Sequence, residues 1–257
     1  MTRRTPLGPV ASGASTRHAG SAASGVGLAL AAGLAANVAP SLARLPSVRT
    51  RFPHLNGDGH PGRVALTFDD GPDPASTPQF LACLERLEVQ ATFFLLGVMV
   101  QQAPALAREL VAQGHEVAVH GWDHRNLALR GPSSTRRQIE NGAAIVAEEA
   151  GQTPTWWRPP YGVLTTAGLL SARHAGLTPV LWGSWGRDWR ETATASTVTA
   201  DVAAGFHPGS TVLLHDSSCT ATPGSWRSAL AALPNLVHRW RNDGLTVGPL
   251  RDHELRA

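Results

Sequence analysis

The sequence predicts an α/β fold, a distorted (β/α) barrel of about seven units. From residue 63 onward, short apolar runs that suit buried strands alternate with stretches whose apolar residues recur at helical spacing. The strands come singly and evenly, which favours a closed or nearly closed barrel over an open doubly wound sheet. The glycine fingerprint that follows the first strand of a dinucleotide-binding fold is absent; Phe68-Asp69-Asp70-Gly71-Pro72 stands there instead.

The predicted elements alternate along the whole body of the chain. Strands are predicted over residues 64–68, 91–96, 116–120, 156–158, 179–182, 211–215 and 245–247. Helices are predicted over residues 77–88, 103–113, 135–150, 165–175, 196–204 and 225–242. Gly114, Gly151 and Gly176 follow three of these helices, at positions where glycine commonly ends a helix.

Composition excludes several classes of protein. The chain has 257 residues, of which 42% are hydrophobic and 16% charged, too apolar a composition for a disordered chain. Residues 1–60 hold six arginines against one acid, whereas residues 61–257 hold 16 arginines against 18 acids. A slightly negative body without a basic stripe argues against a nucleic-acid partner. Two cysteines exclude a disulfide-dense scaffold and a cysteine-rich zinc module.

Residues 1–60 are predicted to form an N-terminal leader, and residues 61–257 the main domain. Residues 19–43 carry no charge and are flanked by arginines on both sides. Three interpretations stay open: an export signal with its apolar core over residues 26–36 and a small-residue cleavage pattern at 41–43, an uncleaved membrane anchor through residues 19–43, or a surface helix or disordered tail. The third is supported by the weak hydrophobicity of Ala and Gly and by Pro40.

Polar residues stand at five of the first six predicted strand ends, where parallel α/β folds carry their chemistry. These residues are Asp69 with Asp70, His120, Arg158, Asp188 and His215. A single polar residue at a strand end is usually a cap or part of a turn, but the repeated pattern predicts an active site.

Two histidines, His120 and His124, are four residues apart, a spacing that lets two imidazoles bind one metal ion if the backbone is helical. With Asp70 they would form a site of two histidines and one carboxylate that leaves positions open for water and substrate. Such a site also suits non-haem iron. Zn²⁺, which has no redox chemistry, is the expected ion for a hydrolase, and Co²⁺ or another divalent ion stays open.

Five motifs resemble, in order and approximate spacing, those of the polysaccharide deacetylases. These carbohydrate esterases share the NodB-homology domain of the rhizobial nodulation chito-oligosaccharide deacetylases. The motifs occupy residues 67–72, 120–124, 158–162, 188–189 and 213–215, and the resemblance covers residues 63–247. The resemblance implies the distorted barrel of that family and a metal-dependent hydrolase.

The resemblance also implies a role for each matching residue, beginning with the base and the metal. Asp69 resembles the general base of the family. Asp70 resembles the metal ligand that acts together with His120 and His124. Arg158 resembles the arginine that holds the base carboxylate in place.

The remaining matches concern the leaving group and the acetyl pocket. His215 resembles the general acid, and Asp188 resembles the carboxylate that tunes it. The backbone N–H of Tyr161 is expected to form part of an oxyanion hole. Trp189 and Leu213 resemble the walls of the acetyl pocket.

The sequence departs from the family pattern around these motifs. Gly121 stands where the family usually has Ser or Thr, and Arg125 stands where it usually has Pro, which puts the rigidity of the metal-binding loop in question. Trp185 lies near a position where relatives often carry Asp. Together with Trp182 and Trp189 it suggests an altered aromatic groove, and both sugar stacking and packing of the barrel rim stay open.

The function that follows is metal-dependent removal of N-acetyl groups from an N-acetylglucosamine-containing polysaccharide or oligosaccharide, chitin-like or peptidoglycan. The alternatives are an O-acetyl esterase, a small-amide hydrolase and a non-catalytic carbohydrate-binding module. A wall polymer as substrate implies a secreted or membrane-anchored protein that faces the cell wall. A cytoplasmic location is the alternative.

Overall fold

The computed structural model describes residues 31–255, and its contacts divide the chain into two units, Met1–Ala36 and Asn37–Ala257. Of the first unit the structure describes residues 31–36, which are helical. The leader predictions that concern residues 1–30, including much of the apolar stretch over residues 19–43, lie outside the described residues. Within residues 31–255, no helix has the length and apolar character needed to cross a membrane.

Within residues 31–255, eight strands form one sheet in which every pairing is parallel. They are β1 Arg63–Asp69, β2 Thr92–Leu96, β3 Glu116–Gly121, β4 Trp156–Trp157, β5 Thr178–Pro179, β6 Ser184–Trp185, β7 Thr211–His215 and β8 Thr246–Gly248. The order is β5-β4-β3-β2-β1-β7-β6, and β8 pairs with β1. Residues 63–65 of β1 pair with β8 and residues 67–69 pair with β2, so β8 lies beyond the end of β2.

This arrangement confirms the predicted distorted (β/α) barrel. Seven strands curl around the barrel, and β5 and β6 lie at the two ends of the order, so hydrogen bonds do not close it. The prediction of a single strand over residues 179–182 is wrong after Pro179, because residues 180–183 separate two short strands, β5 and β6. The carbonyl groups of Val180 and Leu181 accept hydrogen bonds from the guanidinium of Arg158 instead of a neighbouring strand.

The helices cover the outside of the sheet. They are α1 Pro46–Arg49, α2 Thr77–Leu87, α3 Gly97–Gln102, α4 Pro104–Ala112, α5 Pro132–Ala150, α6 Thr166–His174, α7 Ala195–Gly205 and α8 Trp226–Asn242. The six predicted helices correspond to α2 and α4–α8, whereas the short helices α1 and α3 were not predicted. Helix α2 buries Phe80, Leu81 and Leu84 on the face that its periodicity indicates.

The two faces of β1 separate the core from the site. Phe68 packs against the aromatic rings of Phe80 and Phe93 at centroid distances of 5.1 and 4.9 Å, in the apolar layer under the helices. Side chains alternate along a strand, so Thr67 and Asp69 point to the other face, the barrel interior. Both contact Arg158 there. The barrel interior therefore carries a buried polar cluster at the carboxyl end of β1.

Residues 39–60, here called the N-terminal strap, lie along the open side of the barrel between β5 and β6. The carbonyl oxygen of Leu55 accepts a hydrogen bond from the N–H of Leu181 at 2.7 Å, and Arg49 Nη2 donates to the carbonyl oxygen of Gly183 at 3.2 Å. Further along the strap, the carbonyl of Gly57 accepts from Thr211 Oγ1 at 2.7 Å. The strap thus satisfies backbone groups that a neighbouring strand would otherwise have bonded.

The start of the strap is also packed against the body. Ser41 Oγ donates to the carbonyl oxygen of Leu164 at 2.7 Å, and Ala43 is buried. The small-residue pattern at residues 41–43 therefore lies inside the packed unit, and the domain boundary predicted at residue 61 does not coincide with the start of this unit at Asn37.

Candidate active site

The polar residues predicted at the strand ends converge at the carboxyl end of the barrel. Asp69 on β1 is the direct neighbour of His215 on β7. Asp70, His120 and His124 each offer a ligand atom, and these atoms all lie within 4.8 Å of one another. Within residues 31–255, this is the group of histidine, cysteine and carboxylate side chains whose spacing suits a metal ion.

Asp70 presents one buried oxygen to the two imidazoles. Its Oδ1 lies 3.5 Å from His120 Nε2 and 3.4 Å from His124 Nε2, and it has no hydrogen-bond partner among the described residues. A buried carboxylate oxygen without a donor is unfavourable, whereas a cation between it and the two nitrogens would satisfy all three atoms. The donor set therefore fits a divalent metal ion.

His120 is held in the tautomer that a metal requires. Its Nδ1 lies 2.8 Å from the carbonyl oxygen of Arg158, which can only accept, so Nδ1 carries the proton and Nε2 presents its lone pair. Burial is the main cause that lowers the pKa of His120 to about 3, and the neighbouring His124 and Arg158 act in the same direction. The ring is therefore neutral, and its contact with Asp70 is not an ion pair.

A turn, and not a helix, brings His124 beside His120. His120 lies in β3, and the chain leaves this strand through Gly121 with φ 106° and reaches His124 with φ 55°. The two rings are 5.0 Å apart. A helical backbone was only one way to bring the two rings together, and here the turn does so instead, so the imidazoles meet as predicted.

Glycine at position 121 has a conformational reason. Its φ of 106° is a region that a side-chain-bearing residue rarely adopts, so Ser or Thr would be strained there. The loop is held instead by Gln138, whose Oε1 accepts from the backbone N–H groups of Trp122 and Asp123 at 3.2 Å each. Arg125 extends from this loop and pairs with Asp123 at 3.0 Å.

Arg158 holds Asp69 inside the barrel. Its Nη1 donates to Asp69 Oδ1 at 2.7 Å and to Thr67 Oγ1 at 2.9 Å, and its Nη2 donates to the carbonyl of Leu181 at 2.9 Å. Burial lowers the pKa of Arg158, and the charge and hydrogen bond of Asp69 oppose that effect. The second oxygen of Asp69, Oδ2, lies 3.6 Å from His120 Nε2 and faces the metal site.

His215 and Asp188 form a second charged pair at the same end of the barrel. His215 Nδ1 lies 2.9 Å from Asp188 Oδ1, and the backbone N–H of His215 donates to Asp188 Oδ2 at 2.7 Å. Burial by itself would lower the pKa of His215, but the charge and hydrogen bond of Asp188, with Asp70 and Asp69 behind them, raise it to about 10. Nδ1 is engaged by Asp188, so Nε2 is the nitrogen that can exchange a proton with a ligand.

A cavity of about 370 Å³ joins these groups. Its walls include the predicted residues Tyr161, Trp189 and Leu213, together with Trp182 and Trp185. The three tryptophan rings follow one another at centroid distances of 5.6 and 4.8 Å. Tyr161 has a φ of 57° and is 56% exposed.

Grooves extend from this cavity in two directions. On one side a groove of about 430 Å³ shares Trp182 and Trp185 with the cavity. On the other side a more open groove of about 750 Å³ shares His124, Tyr161 and Thr220. The cavity therefore has a neighbouring groove on each of two sides.

Two polar residues near the site, Thr220 and Asp216, were not predicted from the sequence. Thr220 lies in the irregular loop after β7, and its Oγ1 donates to Asp70 Oδ2 at 2.5 Å. Asp216 is fully buried, accepts from Thr77 Oγ1 at 2.5 Å, and has its pKa raised to about 7, chiefly by burial. Only its place directly after His215 at a strand end could have indicated Asp216. Thr220 lies in an irregular loop, so no helix or strand periodicity could have indicated it.

Comparisons with known proteins agree with this geometry. A family model described as polysaccharide deacetylase matches residues 56–180. The chain is 37% identical over 201 residues to a chitooligosaccharide deacetylase of Sinorhizobium fredii, an alignment that covers 76% of this chain and 93% of that protein. It is 40% identical over 154 residues to the peptidoglycan-N-acetylglucosamine deacetylase PgdA of Listeria monocytogenes, covering 60% of this chain and 32% of that protein.

A solved structure is similar to this chain over most of its length. The peptidoglycan N-acetylglucosamine deacetylase Bc1960 superposes with a TM-score of 0.73 at 30% identity, covering 81% of this chain and 96% of that one. The match to the family model ends before Asp188 and His215.

Proposed function

The chain belongs to the polysaccharide deacetylase family, and on that premise we propose that it removes N-acetyl groups from an N-acetylglucosamine-containing glycan by metal-dependent hydrolysis. One observation carries the proposal. The Asp70 oxygen that has no donor among residues 31–255 faces two imidazole nitrogens. Asp69, paired with Arg158, and His215, paired with Asp188, line the same cavity. This arrangement supplies a cation site, a proton acceptor and a proton donor within one pocket.

Asp70, His120 and His124 would hold the divalent ion. Two neutral imidazoles and one carboxylate suit Zn²⁺ and leave coordination positions for ligands, and Co²⁺ accepts the same set. When bound, such an ion polarises the amide carbonyl and makes water more acidic. The assay described below compares Zn²⁺ with Co²⁺ and so tests which metal supports activity.

Asp69 is the proposed general base. Arg158 occupies its Oδ1, which leaves Oδ2 directed at the metal site and able to take a proton from the attacking water. Because Arg158 is fully buried and bonded to backbone carbonyls, it also fixes the direction of the Asp69 carboxylate.

His215 is the proposed general acid. An amide has a poor leaving group, so the departing amine nitrogen needs a proton, and His215 Nε2 can donate it while Nδ1 stays bonded to Asp188. The backbone N–H of Tyr161 is proposed to face the oxygen of the scissile carbonyl. Trp189 and Leu213 would enclose the acetyl methyl group.

The substrate is proposed to be a chain of sugars, chitin-like or peptidoglycan. The supporting observations are the grooves on both sides of the cavity and the half-exposed tryptophans that line one of them. The relatives reported above are named for a chito-oligosaccharide and for peptidoglycan. Both substrates contain N-acetylglucosamine, the unit on which the proposed chemistry acts.

We propose that the catalytic domain works outside the cytoplasmic membrane, facing the cell wall. The support is the similarity to peptidoglycan deacetylases, whose named substrate lies there. A reporter fused after residue 60 tests this location, and a reporter that stays soluble in the cytoplasm would contradict it.

The function is tested by acetate release from matched substrates. Chitin oligomers, peptidoglycan and acetylxylan are each incubated with protein depleted of metal and then supplied with Zn²⁺, Co²⁺ or neither. We expect metal-dependent acetate release from the N-acetylated substrates. Release from acetylxylan alone would instead identify an O-acetyl esterase, and saccharide binding without any release would identify a binding module. Asp69→Asn protein is the control for contaminating activity.

A further inference from the structure

Thr220 contacts the proposed metal ligand from a loop outside the recognised motifs. It follows β7, and its hydroxyl donates to Asp70 Oδ2 at 2.5 Å. The other oxygen of the same carboxylate, Oδ1, faces His120 and His124 and has no protein donor among the described residues. The two oxygens of Asp70 therefore have separate surroundings, one bonded to protein and one directed at the cation position.

The backbone at Asp70 needs support from outside its own loop. Its φ of 80° lies in the left-handed region that residues with a side chain rarely adopt. A strained conformation of this kind persists only where neighbouring contacts hold it. Thr220 bonds the Asp70 side chain, and Cys219 Sγ lies 3.5 Å from the Asp70 carbonyl oxygen.

Further contacts tie the same two loops together. Ser217 Oγ donates to Asp73 Oδ2 at 3.1 Å, and Ser76 Oγ donates to the Asp216 carbonyl. Thr77 Oγ1 donates to the Asp216 carboxylate. Residues 216–220 and 70–77 thus form one hydrogen-bonded assembly, and Thr220 is its contact with the ligand side chain.

We propose that Thr220 is a positioning residue that orients the Asp70 carboxylate so that only Oδ1 is presented to the metal ion. This inference rests on the metal site of the proposed function. A hydroxyl that donates to a carboxylate makes a charge-assisted hydrogen bond, which is among the stronger kinds. Outer partners of metal ligands fix the ligand geometry, and their loss typically lowers metal affinity about 10- to 100-fold.

A substrate-binding role for Thr220 makes a different prediction. Thr220 also lines the cavity and the larger groove, so its hydroxyl could serve a sugar instead of Asp70. A substrate contact would change KM at saturating metal and leave the metal affinity of the substrate-free protein alone. A positioning role changes the metal affinity without any substrate present.

The test measures Zn²⁺ affinity directly on substrate-free protein. Full-length protein is stripped with a chelator and titrated against a chromophoric Zn²⁺ competitor, for the unaltered chain and for Thr220→Val and Thr220→Ser. Thr222→Val is the matched control, because Thr222 is exposed in the same loop. Circular dichroism and thermal unfolding of the metal-free proteins verify that each variant is folded.

The expected result is a dissociation constant for Zn²⁺ raised about 10- to 100-fold in Thr220→Val. Thr220→Ser keeps the hydroxyl and should restore affinity to within about threefold, and Thr222→Val should match the unaltered chain. Activity lost in Thr220→Val should return as Zn²⁺ is raised. An unchanged dissociation constant in folded Thr220→Val overturns the inference, and a raised KM with unchanged metal affinity assigns Thr220 to the substrate. If the unaltered chain itself binds no Zn²⁺ or Co²⁺, the metal site of the proposed function fails as well.

Discussion

Both oxygens of the Asp188 carboxylate are bonded to His215, one to the ring Nδ1 at 2.9 Å and the other to the backbone N–H at 2.7 Å. The carboxylate therefore holds the ring in place and also stabilises its positive charge. Since the side chain of Asp188 is buried, water screens this interaction little. The pH dependence of the reaction follows from this pair.

Asp188→Asn should move the alkaline limb of the kcat/KM profile to lower pH. His215 has to be protonated to donate, so the rate falls as pH rises through its pKa, which Asp188 helps to raise to about 10. Removing the negative charge lowers that pKa, and the activity is then lost at a lower pH. The profile is measured with a chito-oligosaccharide between pH 5 and 11. Asp243→Asn, at an exposed position, is the control. An alkaline limb that stays in place would make Asp188 a purely structural residue.

Asp69→Asn should lower kcat by a factor on the order of 10²–10⁴, the usual contribution of a general base. The amide cannot accept the proton that the carboxylate would take. Metal content should stay near that of the unaltered chain, because the ligand set of Asp70, His120 and His124 is intact. Acetate release and bound zinc are measured on the same preparation. A variant that keeps its turnover but loses its metal would show that the roles of Asp69 and Asp70 are reversed.

His120→Ala should remove most of the bound metal and most of the activity. It deletes the nitrogen that is held in the metal-binding tautomer by the Arg158 carbonyl. The fold should persist, since the site lies at the carboxyl end of the barrel and not among the core residues. Metal content is measured by mass spectrometry, and folding by circular dichroism. Full occupancy in a folded His120→Ala/His124→Ala double variant would exclude this ligand set.

Arg158→Met should destabilise the protein by about 3–5 kcal/mol, the range for removing one partner of a buried ion pair. It leaves the Asp69 carboxylate buried without its partner and two backbone carbonyls without a donor. Urea unfolding of the metal-free protein measures this loss. The double variant Asp69→Asn/Arg158→Met should recover part of it, because the uncompensated charge is gone. Equal stabilities of the single and double variants would show that the ion pair is not the origin of the effect.

Trp185→Ala should weaken binding of long oligosaccharides more than that of short ones. Trp185 connects the catalytic cavity with the groove on the strap side, where a neighbouring sugar would stack. Loss of one aromatic contact of about 0.5–1.5 kcal/mol corresponds to a KM raised about 2- to 13-fold. The variant is compared on a chitin dimer and a pentamer. The same change in KM for both lengths would contradict a sugar-stacking role and favour packing of the barrel rim.

The central strands could be predicted closely because burial determines their sequence. In β1, β2, β3 and β7 continuous apolar runs are covered on both faces, and each predicted boundary lies within one residue of the observed one. The segment around Val180 and Leu181 reads as another such run. The backbone groups of this segment form hydrogen bonds with Arg158 and with the strap, which are both distant in sequence. No local pattern therefore distinguishes the segment from a strand.

The positions of the site residues also divide into those that a local sequence pattern predicts and those that depend on the three-dimensional path of the chain. Residues at strand ends, such as Asp69 and His215, follow from the rule that parallel strands end at one edge of the barrel. The meeting of His120 and His124 depends on two positive φ angles that no spacing argument contains. Thr220 lies beyond the last periodic strand, in a loop whose path is set by hydrogen bonds to the β1 loop, and its contact with Asp70 is visible only in three dimensions.

The strap has a practical consequence for how the protein is produced. The N–H of Leu181 donates a hydrogen bond to the carbonyl oxygen of Leu55 in the strap. The carbonyl oxygen of Leu181 accepts a hydrogen bond from Arg158, which in turn holds Asp69. A shortened chain that starts at residue 61 would keep every proposed catalytic side chain. It would lose the strap contact to Leu181, and with it the support of Arg158 and of the proposed base, Asp69. We expect such a chain to have a lower Tm and weaker acetate release than one starting at Asn37. An inactive truncated protein would therefore report on the missing strap and would say nothing against the catalytic assignment.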